Sequence, residues 1–222
     1  MIWLAVTLVV WFGAVWLSRY GSGWLNPVLL STIAIAGTLL LTRTPLPEYR
    51  EGTVVLTALL GPAIVALAVP IQRHGRELGR LLPALVVAAG AATVVGAAVT
   101  VGVAWALGVP RDVLLALAPK HATSAVSAAV AGVLGADVSL AAVFSILTGI
   151  LGAVAGPPLL GLLRRRDPVS RGLAIGLSAH AIGTARAMEI DRTTGAASAL
   201  GLALAALLVP VTLLAASLIG WL

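Results

Sequence analysis

Long uncharged hydrophobic stretches, divided by short charged punctuation, run from one end of the chain to the other. Residues 81–110 and 193–222 contain no Asp, Glu, Lys or Arg, and about 20 such residues are enough for a helix to cross a bilayer core. About eight stretches reach spanning length, near 2–18, 27–42, 53–71, 81–108, 113–134, 138–163, 169–189 and 195–222. The first has no basic lead-in and no small-residue cleavage site before Arg19, so it reads as a spanning helix and not as a secretory signal. The pattern predicts an all-α transmembrane protein of about eight spans with short loops.

The two halves echo one another. Each closes on one of the uncharged runs, and ahead of each run lies an interrupted segment: "LLGPAIVALAVPIQR" (59–73), with Gly61 and Pro62, and "LSAHAIGTARAMEIDR" (177–192). We therefore expect two membrane repeats of four spans, 1–110 and 111–222, with inverted topology and interrupted helices. Such repeats keep transport sites at the midplane. A plain helical bundle packed through small residues is the simpler alternative.

Composition strengthens the membrane assignment. Hydrophobic residues make up 60% of the 222 positions, and charged residues only 10%. Net charge is +6, but the basic residues lie mostly in short loops, where anionic lipid headgroups and not nucleic acid are the expected partners. If all eight segments cross, Arg43, Arg50, Arg111, Arg164, Arg165, Arg166 and Arg171 share a side with both ends. Arg19, Arg73, Arg76, Arg80 and Arg192 face them. That small excess leans towards cytoplasmic termini. The chain has no cysteine, which removes disulfides, iron–sulfur clusters and Cys-type zinc sites.

Two polar clusters interrupt the spans. In "LAPKHATSAVSAAV" (117–130), Pro119 lacks an amide hydrogen and disfavours helix at Ala118, so the span breaks there or begins afresh at 119. On a helix continuing from that point, Lys120, Thr123, Ser124 and Ser127 share one face. Lys120 then either faces protein and water or snorkels to the surface. In "LSAHAIGTARAMEID" (177–191), Gly183 is the expected break, which would open helix amides beside Thr184 and Arg186 to an anion. The alternative for Arg186 and Glu189 is a structural ion pair, and for His180 an interhelical hydrogen bond.

The sign of the buried charge separates transport classes. Every acidic residue falls in a loop or at a segment end, whereas the deeper candidates, Lys120, His121, His180 and Arg186, are basic or protonatable. A cation exchanger needs a carboxylate in its path. This pattern suits a small organic anion, with Arg186 able to grip a carboxylate in a fork and Lys120 acting as a point charge. Histidine can couple such binding to protons. An enzyme is not expected, because there is no HExxH motif, no P-loop and no Asp inside a span to complete a catalytic triad.

The stretches "LLGPAIVALAVP" (59–70), "APKHATSAV" (118–126), "SLAAVFSILTGILGAVAGPPLL" (139–160) and "DPVSRGLAIGLSAHAIGTARAMEID" (167–191) resemble the LrgB/CidB family. So do Asn26-Pro27 and Glu51-Gly52. The resemblance covers nearly the whole chain. It implies an integral protein of the bacterial inner membrane, with a fold like those of cation–proton antiporters and bile-acid transporters. Members include antiholin-like regulators of murein hydrolase export, which work beside a small LrgA/CidA-type partner. Others are linked to pyruvate uptake, and a plastid relative translocates glycolate and glycerate. The family pattern carries onto Pro119, Lys120, Thr123 and Ser124, and onto His180, Gly183, Thr184, Arg186 and Glu189. It departs at His121, Ala125, Ala179 and Ala181, where the family commonly has Ser, Pro, Ser and Gly.

Two functions follow as expectations. One is a small-monocarboxylate transporter or facilitator with a substrate site formed by Lys120, His121, Thr123, Ser124, His180, Gly183, Thr184 and Arg186. Asn26, Gly61, Pro62, Pro119 and Glu189 would then be structural or gating residues. The other is an antiholin-like regulator of lysis. No metal or organic cofactor is expected, proton or sodium coupling is left open, and small-residue helix faces allow a homodimer.

Overall fold

The computed structural model describes residues 2–20 and 26–221. These fall into two compact units, 1–68 and 69–222.

In the first unit, α1 (Ile2–Ser18) packs on α2 (Pro27–Thr42) and the short α3 (Leu46–Gly52). Asn26 starts α2: its side-chain oxygen accepts the amides of Val28 and Leu29 at 2.8 and 3.3 Å, and Pro27 has no amide to lose at the first helical position. Trp3 donates its indole N–H to Glu48 at 3.2 Å, and Thr7 shares a 3.0 Å hydrogen bond with Tyr49. α4 (Val54–Ala66) is exposed along nearly all its length, Gly61 and Pro62 included. The expected interruption falls beyond Pro62, at Leu67, because Pro70 cannot donate to the Ala66 carbonyl. With α5 (Ala68–Arg73) this stretch forms a 20-residue apolar run long enough to cross a membrane.

The second unit is framed by three further helices of spanning length, α6 (Gly75–Ala106), α9 (Val138–Leu162) and α11 (Arg192–Leu218). α6 and α11 run parallel. Leu78 and Leu85 cluster with Ala196 and Ala197 at one end, while Ala97 meets Ala205 and Val209 further along. α9 runs the other way. A Cβ added at Gly149 would meet His180, and one at Gly156 would meet Ile175, so residue numbers fall along α10 as they rise along α9.

The two remaining segments do not pass straight through. In α10 (Pro168–Ile190), His180 takes φ 40° and ψ −131°, and the chain doubles back. A Cβ on Gly183 would lie 2.9 Å from Ile175 Cγ2 and 3.2 Å from the Ile175 carbonyl oxygen. Residues eight apart on a continuous helix are separated by about 12 Å along the axis. The halves, 168–179 and 181–190, are therefore a helical hairpin. Its first half lies parallel to α11, with Gly172 against Thr194 and Gly176 against Ser198. Its second half lies antiparallel, with Thr184 bonded to Ser198 and Gly195 against Met188.

The same device recurs at 111–133. α7 (Arg111–Leu117) and α8 (Ser124–Val133) are joined by a turn at 118–123. The Ser127 hydroxyl reaches back to the Pro119 carbonyl at 2.7 Å, and Ala116 packs in one cluster with Ala131 and Ala141. Each limb of either hairpin is roughly 10–18 Å long, short of a bilayer core of about 30 Å. The expected spans at 113–134 and 169–189 are thus hairpins, because one needs a proline and the other an irregular backbone at its centre.

Candidate functional site

The first hairpin turns where Pro119 interrupts the amide ladder. The Lys120 amide bonds to the Leu117 carbonyl at 3.1 Å and the Ala122 amide to the Pro119 carbonyl at 2.9 Å. The chain extends at Thr123 (φ −62°, ψ 156°) and re-enters helix at Ser124, five residues later than a restart at 119 requires. Thr123 caps α8, its hydroxyl accepting the Val126 amide at 3.4 Å. Lys120, Thr123, Ser124 and Ser127 therefore do not form a helical stripe. The first three line the turn, half-buried, while Ser127 sits beneath it, fully buried.

Unwound backbone inside a membrane protein needs its polar groups satisfied by protein. Here the carbonyls of the turn receive buried donors. Ser127 donates to Pro119, Ser145 on α9 donates to Ala122 at 2.7 Å, and His180 Nε2 lies 3.0 Å from the Lys120 carbonyl. That last contact joins the tips of the two hairpins. A carbonyl can only accept, so Nε2 carries the proton. Pro119 is fully buried and His180 is 3% exposed. His121 takes the other flank: its ring lies over Gly96, and Nε2 is 3.2 Å from the Thr100 hydroxyl on α6.

α9 passes both tips near its own centre. Ser145 bonds to the first tip, and Gly149, one turn along, leaves room for the His180 ring. A Cβ at Gly149 would stand 3.0 Å from His180 Cε1. The missing side chain is what admits the imidazole.

In the second hairpin the break lies at His180, and Gly183 is helical. Correcting the expected break at Gly183 gives that residue a different role. It is buried, and its missing Cβ lets the second limb close onto Ala179 and Ile175. Thr184 is 1% exposed and bonds to Ser198 at 2.9 Å. Arg186 and Glu189 form a 2.6 Å ion pair with side chains 39% and 59% exposed, one turn from the hairpin's open end. The structure thus brings Pro119, Lys120, Thr123, Ser124 and His180 to one junction, with His121 beside it. Gly183 and Thr184 serve the packing behind the junction, and Arg186 with Glu189 lies towards the open end of the second hairpin. Asn26, Gly61 and Pro62 belong to the first unit.

The sequence reading passed over Ser145, Thr100 and Ser198. Each is one of several hydroxyls on a long apolar helix, and a polar side chain inside an uncharged run was the available signal. A further signal lay in the repeated dipeptide His-Ala, which stands at both tips, 121–122 and 180–181. Among the described residues no group of three or more His, Asp or Glu side chains gathers as a metal site. What the junction can do chemically is offer the Lys120 ammonium, the His121 imidazole, two hydroxyls and the first amides of α8 to a small anion, the His180 N–H being taken by the Lys120 carbonyl.

Comparison with known proteins covers nearly the whole chain. The family model described as "LrgB-like family" matches residues 7–219. The holin-like protein CidB of Staphylococcus epidermidis is 30% identical over 200 residues, 88% of this chain and 87% of that one. CidB of Staphylococcus aureus is 28% identical over 219 residues, 96% of each. An uncharacterized Bacillus subtilis protein, YwbG, is 30% identical over 208 residues, 92% of each. No solved structure matches.

Proposed function

The chain belongs to the LrgB-like family, and on that premise we propose that it carries a small monocarboxylate of the glycolate, glycerate or pyruvate type across the bacterial inner membrane. The observation that carries this reading is the meeting of the two hairpin tips at His180 and Lys120. Irregular backbone at membrane depth belongs where protein or a watery path surrounds it, and half-helix ends at a midplane junction are how secondary transporters hold charged solutes. Lys120 is the point charge, Thr123, Ser124 and His121 supply directional contacts, and His180 holds the two tips together. Arg186 serves at the mouth.

On this reading α6, α9 and α11 cross the bilayer and the hairpins enter from opposite faces. Arg73, Arg76, Arg80, Arg164, Arg165, Arg166, Arg171 and Arg192 then gather on the face shared by the start of α6 and the end of α9, leaving Arg111 on the other. That asymmetry supports a cytoplasmic arginine-rich face, with the end of α11 on the far side, against the lean given by eight crossings. The inversion expected between 1–110 and 111–222 becomes a tighter one: α6 with the first hairpin, then α9 with the second. We read these opposed repeats as antiporter-like, with transport coupled to protons or sodium.

The names of the relatives favour a second reading, in which the chain is an antiholin-like or holin-like regulator acting with a small LrgA/CidA-type membrane protein or as a homodimer. Uptake of labelled glycolate, glycerate and pyruvate into proteoliposomes separates the two. Saturable uptake that Lys120→Ala abolishes in folded protein supports the carrier. No uptake of any of the acids by folded protein, with or without a proton gradient, removes it in favour of the regulator.

A further inference from the structure

Beyond the hairpin junction, the second unit holds a cavity of about 550 Å³ where α9 hands over to α10. Leu160 and Ala174 give it an apolar wall, and Arg164, Arg165, Arg166 and Ser170 a polar one. Arg164 adopts φ 54°, a left-handed turn that reverses the chain so that three consecutive arginines line one hollow. Among the described residues none of the three has a carboxylate within ion-pair distance, the ion pair found being Arg186–Glu189. Asp167 also lines the cavity, but its carboxylate is committed to the α10 cap, accepting the Ser170 amide at 2.7 Å. Three consecutive arginines without a carboxylate partner at one hollow suit a phosphate, which arginine grips in bidentate fashion. Leu159, Leu162 and Leu163 beside it are 55%, 80% and 67% exposed. Apolar side chains so placed next to a cationic cavity suit acyl chains, as in headgroup pockets between membrane helices.

We propose that this cavity is a phosphate site for the headgroup of an anionic phospholipid, fixing the α9–α10 connection to one leaflet. The site is independent of what crosses at the hairpin junction.

The full-length protein is titrated with phosphatidylglycerol, phosphatidylcholine and inorganic phosphate in detergent, and bound lipid is counted by native mass spectrometry. Each basic residue near an anionic headgroup contributes about fivefold in affinity, the equivalent of ~1 kcal/mol. The Arg165→Gln, Arg166→Gln pair should therefore weaken phosphatidylglycerol binding by about 25-fold, with phosphatidylcholine unaffected. The paired Arg165→Lys, Arg166→Lys variant, which keeps charge and loses the fork, should fall between. Arg76→Gln with Arg80→Gln removes equal charge from the start of α6 and should leave the affinity unchanged. Inorganic phosphate that binds saturably, needs Arg165 and Arg166, and displaces the lipid would support the phosphate site and assign it a soluble source. Equal losses in both glutamine pairs, or no loss in either among variants with wild-type melting curves, would overturn it.

Discussion

His180 Nε2 and the Lys120 carbonyl oxygen lie 3.0 Å apart across 60 residues of sequence, and through them the tips of two helical hairpins are bonded. The ring satisfies a carbonyl that the turn at 118–123 removes from any helix. The position also demands a backbone at φ 40°, where a side chain is tolerated poorly. Replacing His180 by alanine, which keeps the Cβ penalty that the histidine already bears, should therefore lower stability through the unpaired carbonyl by about 1–3 kcal/mol. Glycine should lose the same bond but recover roughly 1 kcal/mol by removing that penalty. Denaturation midpoints in detergent for the two variants give the comparison. Equal midpoints would mean the backbone is not held in this conformation.

Glycine has opposite meanings in the two units. A Cβ at Gly176 would collide with the Ser198 carbonyl of α11, whereas at Gly61 nothing lies within 4 Å. Gly176→Ala should cost about 1–3 kcal/mol by prising α10 from α11. Gly61→Ala should stabilise α4 by roughly 0.5–1 kcal/mol through reduced chain entropy. Melting curves of the two variants under one detergent condition should move in opposite directions.

Much of this is legible in the sequence. The α1 and α2 ranges coincide with the uncharged stretches because in lipid a helix ends where the polar residues begin. Pro119 announced a break for a local reason, the missing amide. The turn at His180 had no such local cause. Its neighbours are ordinary helix formers, and Gly183 looked the weaker link. The break lies at His180 because Gly149 on a different helix leaves room for the ring and Lys120 offers it a carbonyl. Long-range partners of this kind leave no periodicity. For the same reason the hydropathy of 169–189 read as a crossing: a hairpin folded within apolar surroundings has the composition of a span.

Asp167 ties the start of α10 to acidity. Hydrogen bonds from the Ser170 hydroxyl and amide, the hydroxyl first, hold its carboxyl below the ordinary carboxylate range. A depressed folded value means that the cap is fully present above the unfolded value of about 4 and is lost as pH falls through the folded one. Asp167→Ala should cost about 0.5–1 kcal/mol at neutral pH, the lower part of the capping range, because the group is exposed. That cost should vanish as the medium is acidified. Asp167→Asn should cap nearly as well while removing the pH dependence. Midpoints followed from neutral pH down to about 3 test both, and parallel curves for wild type and alanine variant would refute the assignment.

Arg186 and Lys120 should fail differently if the chain is a carrier. Arg186 is paired with Glu189 near the open end of its hairpin and is 39% exposed, so the pair contributes about 0–1 kcal/mol to stability. A charge at a mouth acts mainly on encounter with the solute. Arg186→Ala should then raise the half-saturating concentration of the transported acid, with maximal uptake changed by no more than about twofold. Glu189→Gln, which frees the guanidinium, should lower the half-saturating concentration. Lys120→Ala removes the charge at the tips themselves and should abolish saturable uptake without changing stability by more than about 1 kcal/mol. Concentration series of uptake in proteoliposomes, read beside melting curves, distinguish the roles. If Arg186→Ala removes maximal uptake as completely as Lys120→Ala, Arg186 acts at the junction and its pairing with Glu189 must open during transport. If neither variant changes uptake, the solute crosses by another route.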